Sequence, residues 1–471
     1  MRAAVVVFLL CASLYGEVRL PAYARDTLAN GAVVYLVPKP GLPLVDFRVV
    51  VKGGMESEPA ELPGIASITA SLLRRGTSRR TPDQFAEQLD FLGGQFNDYV
   101  DEQCTAITAE FLKKDFDAGL ELLADAVLHP AFPPAEVKKL LARRADSIRA
   151  AKDNPQMAIL SFYRSFFFGP SHPYGRIADE TSLDRIRRED IEAYHRRLYT
   201  GPNMVLIVAG EFDSTTAKAA VARAFGSAPK GPAYVWTESP LHAASGRLLL
   251  IDKPDATQTY FVIAQPGISR RNPDRIPVML VNTLFGGRFT SMLNQALRVD
   301  SGLTYGAHSA VQQSRLTGSL TISTFTKTET TAQAIDMALS VLKRIREHGI
   351  TAEQLASAKA YMKGIYPTQR LETADQLASV IGEMELFGLG REEVDQLFSR
   401  IDAVTLAQAN EVVRRYYRSD NLTFVVLGNA AKIRTAVAAY APTIIERSIR
   451  QPGWSSAAGL TTPSENRARP N

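Results

Sequence analysis

The chain has 471 residues, 45% hydrophobic and 22% charged, with a formal charge of +5. That length exceeds what one hydrophobic core usually serves, so two or more domains are expected. The composition excludes a collagen-like, disordered or multi-span membrane protein, and two cysteines exclude a disulfide framework or a cysteine-rich zinc module.

Met1-Arg2 is followed by an apolar run from Ala3 to Tyr15 and then by Gly16 to Ala24. One positive charge, an h-region of suitable length and the ending Ala22-Tyr23-Ala24 fit a secretory signal peptide over 1–24. Cys11 lies in the h-region behind Leu9 and Leu10, a poor lipoprotein site, so the mature chain keeps Cys104 alone and forms no internal disulfide. No later stretch is apolar enough to span a bilayer, so the mature protein is expected to be soluble, and periplasmic if the source is a Gram-negative bacterium.

Strands are expected at Ala32 to Val37 and Val45 to Val51, and amphipathic helices dominate the residues that follow. Tyr199-Thr-Gly-Pro-Asn203 leads into the buried strand Met204 to Ala209, stopped by Gly210. This pattern returns 218 residues later as Tyr417-Arg-Ser-Asp-Asn421 and a strand stopped by Gly428. Ile186 to His195 resembles Ile401 to Asn410 at an offset of 215, which predicts a second helix three residues longer. Pro134-Ala-Glu-Val137 resembles Thr351-Ala-Glu-Gln354 at an offset of 217. The repeat predicts two similar α+β halves, 25–228 and 246–446, joined by a Pro/Gly-rich linker over 229–245. The second half opens with strands at Leu248 to Ile251 and Gln258 to Ala264. Residues 447–471, rich in polar residues, proline and glycine, are expected to be a disordered tail.

Chemistry-bearing motifs are sparse. No phosphate loop, dinucleotide turn or nucleophile elbow is present. Ser340 and Lys343 share the spacing Ser-x-x-Lys, but they belong to the polar face of a helix whose apolar face includes Ile335, Leu342 and Ile345. The six histidines, His129, His172, His195, His242, His308 and His348, are all too far apart in sequence to form a helical zinc pair. Basic residues occur as scattered pairs such as Arg74-Arg75, which argues against nucleic-acid binding.

Gly64-Ile-Ala-Ser67-Ile-Thr-Ala70-Ser71-Leu-Leu-Arg-Arg-Gly76-Thr77 resembles the signature helix of the M16 metallopeptidases, the group of pitrilysin, insulysin and the mitochondrial processing peptidase. Active members carry H-x-x-E-H there, two zinc ligands and a general base. Here those places hold Ser67, Ala70 and Ser71, and the third ligand position falls at Ser147. Thr27 to Tyr35 resembles the family's first strand, and Leu128 to Pro133 and His172-Pro173-Tyr174-Gly175 resemble further landmarks. Asn282 to Gly306 resembles the family's C-terminal-domain motif, in which Arg298 and Tyr305 match residues that grip substrate and stabilise the oxyanion. Gly302 is expected to end the helix carrying Arg298, with Tyr305 beginning the next strand.

The resemblance implies two homologous domains of the mitochondrial-processing-peptidase type, each a mixed β-sheet covered by helices. It further implies a non-catalytic, substrate-binding subunit that binds no zinc itself. An H-x-x-E-H-bearing M16 partner would hold the zinc and act on an extended peptide. The alternatives are a binding or assembly protein of the same fold with no part in proteolysis, and a self-sufficient enzyme using other residues.

Overall fold

The computed structural model describes residues 17–236, 238–239 and 246–455. The first half builds a six-stranded mixed sheet from β1 (Ala24–Thr27), β2 (Val33–Pro38), β3 (Leu44–Lys52), β4 (Gln95–Val100), β5 (Cys104–Leu112) and β6 (Met204–Gly210). The second half builds another from β7 (Arg247–Asp252), β8 (Gln258–Pro266), β9 (Ala307–Gln313), β10 (Gly318–Lys327), β11 (Thr423–Gly428) and β12 (Thr443–Ser448). The strand orders are β1-β2-β6-β3-β5-β4 and β12-β7-β11-β8-β10-β9.

Five strands of one sheet correspond to five of the other. The parallel pair β2·β6 ends with Pro38 opposite Gly210, and the parallel pair β7·β11 ends with Asp252 opposite Gly428. Only the sixth strands differ, since β1 runs antiparallel to β2 whereas β12 runs parallel to β7. β6 and β11 hold the same interior place in the two orders, are buried along their whole length, and read accordingly as unbroken apolar runs. The edge strands β4 and β9 alternate polar with less polar positions, as half-covered strands do.

Each sheet is covered on one face by helices of its own half. In the first half these include Ile65–Leu72, Phe116–Leu128, Arg188–Leu198 and Ser214–Phe225, whose buried side chains share a core with Val45, Phe47, Val49, Leu206 and Val208. The opposite faces are covered by exchange. Helix Pro155–Phe168 leaves the first half and lays Ala158, Phe162 and Phe166 against Leu249, Val262, Ala264 and Val425 of the second sheet. Helix Ala374–Phe387 returns the exchange, packing Leu377, Ile381 and Met384 against Tyr35, Val50 and Ile207 of the first sheet. Full burial of each Leu, Ile, Val, Phe or Met side chain among them stabilises by about 1.5–3 kcal/mol.

Polar contacts follow the same seam. Tyr35 donates to Glu385 at 2.6 Å and Arg25 pairs with the same carboxylate at 3.2 Å. Arg48 pairs with Asp375 at 2.5 Å, Arg315 with Glu56 at 3.1 Å, and Gln312 donates to Glu102 at 2.8 Å.

Four sequence expectations change. Helices Arg188–Leu198 and Leu406–Tyr416 are both 11 residues long, so the three extra residues lie outside the second helix and not within it. Thr27 to Tyr35 is not one strand, because Gly31 (φ +93°) turns the chain between β1 and β2. Residues 447–455 are packed and not a disordered tail: Trp454 is 3% exposed, donates to the Ala178 carbonyl at 2.8 Å and meets the Phe162 ring at 5.0 Å. Residues 17–24, assigned to the signal segment, include Val18 and Leu20, which join the second half's core. There the Leu20 amide donates to Asp395 at 2.8 Å. The remainder of that segment, 1–16, lies outside the described residues, as do 456–471 and most of the linker's second part. Among the described residues no helix is long and apolar enough to cross a membrane.

Candidate functional site

The helix Ile65–Leu72 is fixed at its start by Gly64, whose φ of +98° favours glycine and where a Cβ would sit 2.7 Å from the Ala178 side chain. Four orphan amides open any helix. Here the buried Glu58 carboxylate accepts two of the donors at this turn, from Gly64 and Ala66, each at 3.0 Å. Burial pushes the Glu58 carboxyl up to about 7, and the two amide donors only partly offset that desolvation.

Ser67 and Ser71, one turn apart, share the half-buried face of this helix, and Ala70 is fully buried beside them. Ser67 donates back to the Gly64 carbonyl at 3.0 Å. Ser71 donates to Asp98 of β4 at 2.9 Å and accepts from Arg144 at 3.3 Å. Arg144 comes from helix Pro134–Asp153, which also carries Ser147. The structure does not bring Ser147 to the two serines: it is exposed and donates to the Arg143 carbonyl of its own helix at 2.8 Å. Arg144 and Asp98 are the site members that sequence counting missed. β-Strand alternation puts Asp98 on the same face as Phe96, which was a readable signal, whereas the phase of the long helix was not.

This arrangement does not fit a zinc ion. Hydroxyls are poor zinc ligands, both serines are engaged, and the cationic Arg144 guanidinium lies 3.3 Å from the Ser71 hydroxyl. Among the described residues no group of three or more His, Cys, Asp or Glu side chains is placed to hold a metal. His242 lies outside the described residues. His195, in the same half, bonds the Val127 carbonyl at 2.9 Å and stacks on Tyr199 with centroids 4.4 Å apart. Burial lowers its pKa to about 4, so it is a neutral packing residue.

The second half carries a different surface. Ser291 and Asn294 organise the turn before β9: Asn294 donates to the Phe289 carbonyl at 2.7 Å and accepts from the Ala307 amide at 3.3 Å. Helical residues Gln295–Asp300 end at Gly302, whose φ of +63° lets the chain reverse so that the Leu303 amide meets the Leu297 carbonyl at 2.9 Å. Arg298 is exposed, lies over the Phe289 ring at 4.7 Å, and makes no ion pair among the described residues. Tyr305 is 81% exposed and stands two residues before β9. Its ring leans on Phe325, which in turn stacks on Tyr260. Phe289 and Val299 are exposed in the same segment. One short stretch therefore offers a free fork of guanidinium donors, a free phenol and bare apolar surface next to an edge strand.

Known proteins share the two-half fold. A family model described as "Insulinase (Peptidase family M16)" matches residues 33–168. One described as "Peptidase M16 inactive domain" matches residues 185–362, and together they cover about two thirds of the chain. The chain is 26% identical over 398 residues to the uncharacterized zinc protease YmxG of Bacillus subtilis, covering 84% of this chain and 96% of the relative. It is 28% identical over 406 residues to an uncharacterized zinc protease of Mycobacterium leprae, covering 84% and 90%. Among solved structures, a peptidase M16 inactive domain from Pseudomonas fluorescens superposes with a TM-score of 0.79 at 24% identity, covering 86% of this chain and 98% of that one. A protease from Helicobacter pylori gives a TM-score of 0.79 at 18% identity, covering 87% and 100%. With both halves matched in order by models of one family, the chain belongs to peptidase family M16.

Proposed function

We propose that this chain is the non-catalytic, substrate-binding subunit of an exported heterodimeric M16 zinc peptidase. The observation that carries the reading is the contrast between the two halves. In the first, the ligand face is a closed serine, aspartate and arginine network. In the second, Arg298 and Tyr305 stand exposed beside an edge strand.

In the proposed complex an H-x-x-E-H-bearing partner holds the zinc and supplies the attacking water. An extended peptide adds to a free sheet edge through its main chain. β4 and β9 are the terminal strands of the two sheet orders, and β9 follows directly on Tyr305. Arg298 would donate to substrate carbonyl oxygens, and Tyr305 would donate to the developing oxyanion. The exposed Phe289 and Val299 would border the bound peptide.

The test is co-expression with an H-x-x-E-H-bearing M16 chain of the same organism, followed by purification and peptide hydrolysis. The pair is expected to co-purify and cleave, while this chain alone is inactive with or without a chelator. Arg298→Ala is expected to lower kcat/KM of the complex about 10- to 100-fold with assembly unchanged. Co-purification without cleavage would favour an assembly protein, and unaltered turnover in the Arg298 variant would remove that residue from the reading.

A further inference from the structure

A second polar site lies on the other face of the first sheet, away from Ser71. Because strand side chains alternate, Asn97 and Tyr99 of β4 face opposite to Asp98. They line a cleft of about 540 Å³ between the sheet and helix Ala374–Phe387. The cleft is also lined by Asp46 and Arg48 of β3, Thr108 and Glu110 of β5, and Asp375 of the helix.

The charge layout is unusual for a sheet. Asp46 and Glu110 are directly opposite each other across β3 and β5. Such pairs place their Cβ atoms about 4.5–5.5 Å apart, and like charges there are destabilising. Asp46 is only 3% exposed, and its Oδ1 has no hydrogen-bond partner among the described residues. The obvious counter-ion is already engaged, since Arg48 pairs with Asp375 at 2.5 Å. Neither Asp46 nor Glu110 has an ion pair among the described residues. A buried carboxylate oxygen without a donor costs free energy that a structural role does not explain.

We propose that this cleft binds a primary ammonium group on a short alkyl stem, seated between Asp46 and Glu110. An ammonium brings three donors. Two reach the carboxylates, and the third is offered the Thr108 hydroxyl or the amide oxygen of Gln95, which is opposite Glu110 on β4. The stem then lies along Tyr99 and the methylenes of Arg48. A divalent metal is the poorer occupant, because the carboxylates of the described residues do not converge as a metal-holding group. A free small amine and a lysine side chain of a peptide present the same chemistry to the cleft.

Asp46 titrates at about 7, raised by burial and by Asp375 and Glu110, and lowered by Arg48. These are the charged groups that face it from the sheet and the helix. Binding of the amine should therefore weaken as pH falls through about 7 and release protons at neutral pH.

The test is calorimetric titration of the full chain with n-butylamine, 1-butanol, tetramethylammonium, Ca²⁺ and Nα-acetyl-lysine N-methylamide. Butylamine is expected to bind, with no binding of butanol or tetramethylammonium, and with at least a tenfold loss in both Asp46→Asn and Glu110→Gln. Tighter binding of the lysine derivative than of butylamine would assign the site to a peptide side chain, and weaker binding would assign it to a free amine. Absence of butylamine binding at millimolar concentration, equal binding by both variants, or displacement of butylamine by tighter Ca²⁺ binding would overturn the proposal. Circular dichroism confirms that the variants are folded, and neither residue belongs to the Arg298/Tyr305 surface, so the result is independent of the peptidase assay.

Discussion

Replacement of Glu58 by glutamine tests how the start of the degenerate helix is held. Glu58 is 5% exposed, accepts the Gly64 and Ala66 amides, and titrates at about 7 in the fold against an ordinary 4.5. A carboxyl whose folded pKa is raised binds more protons in the native state than in the unfolded state between those two values. Stability owed to this group is therefore highest below about 4.5, falls as pH rises, and is at its minimum above about 7. A rise of that size corresponds to about 3 kcal/mol. Glutamine cannot ionise, so relative to the wild type Glu58→Gln should gain about 3 kcal/mol on going from pH 4.5 to pH 8. The comparison of variant with wild type cancels the opposing titration of His195, whose buried imidazole makes the fold less stable as pH falls below 6.5. For a chain of this size about 1 °C of Tm accompanies each kcal/mol, so the Tm difference should widen by about 3 °C. Scanning calorimetry or urea titration across that range reads it directly. A Tm difference independent of pH would refute the claim that burial raises this carboxyl.

Two further outcomes follow from the same geometry. Phe162→Ala removes a fully buried ring from the exchanged helix and should cost about 3–5 kcal/mol, with probes in both halves reporting one shared transition in a urea melt. Separate transitions would show that the helix exchange does not couple the halves. Ser67→His combined with Ser71→His should bind zinc weakly, because the Arg144 cation stays in contact with position 71. Adding Arg144→Ala should tighten zinc binding about tenfold or more in competition with a chromophoric chelator, and an unchanged affinity would mean that Arg144 does not occupy the ligand space.

Strands β2, β3, β6, β7, β8 and β11 were readable because their apolar runs are short and rich in β-branched residues, whereas β4, β5, β10 and β12 lie in stretches expected to be mostly helical. The repeat was readable because Tyr, Asn and Gly recur at one spacing. The exchange of helices was not. Pro155–Phe168 is apolar on most of its surface, and periodicity says that such a helix is buried without saying against which sheet. Ser147 shows a related limit. Counting along a sequence locates a turn of helix only to within a residue or two, and even one residue rotates a side chain by about 100° around the axis. Arg144 therefore faces Ser71 while Ser147 faces solvent. Trp454 was hidden by its surroundings, since one indole among polar residues barely shifts local composition yet anchors the end of the second half on Phe162. The alternation Val45-Asp46-Phe47-Arg48 did announce two polar positions on one face of β3. Their burial depends on a helix more than 300 residues away in the chain.

That exchange bears on how the proposed assembly would work. Opening the two halves of this chain like a hinge would strip Leu377, Ile381 and Met384 from the first sheet and Phe162 and Phe166 from the second, all of which are buried. At about 1.5–3 kcal/mol for each side chain, the opening would cost on the order of 10 kcal/mol before any ion pair is broken. The exchanged helices therefore hold the two halves together as one body. A chamber that admits a peptide and closes over it needs a joint elsewhere, and a second M16 chain facing Arg298 and Tyr305 would provide it. Under this reading the loss of ligands at Ser67 and Ser71 and the retention of the second-half surface have one cause. A rigid subunit that meets substrate only through its exposed Arg298, Tyr305 and neighbouring strand edge has no use for a metal on its other half.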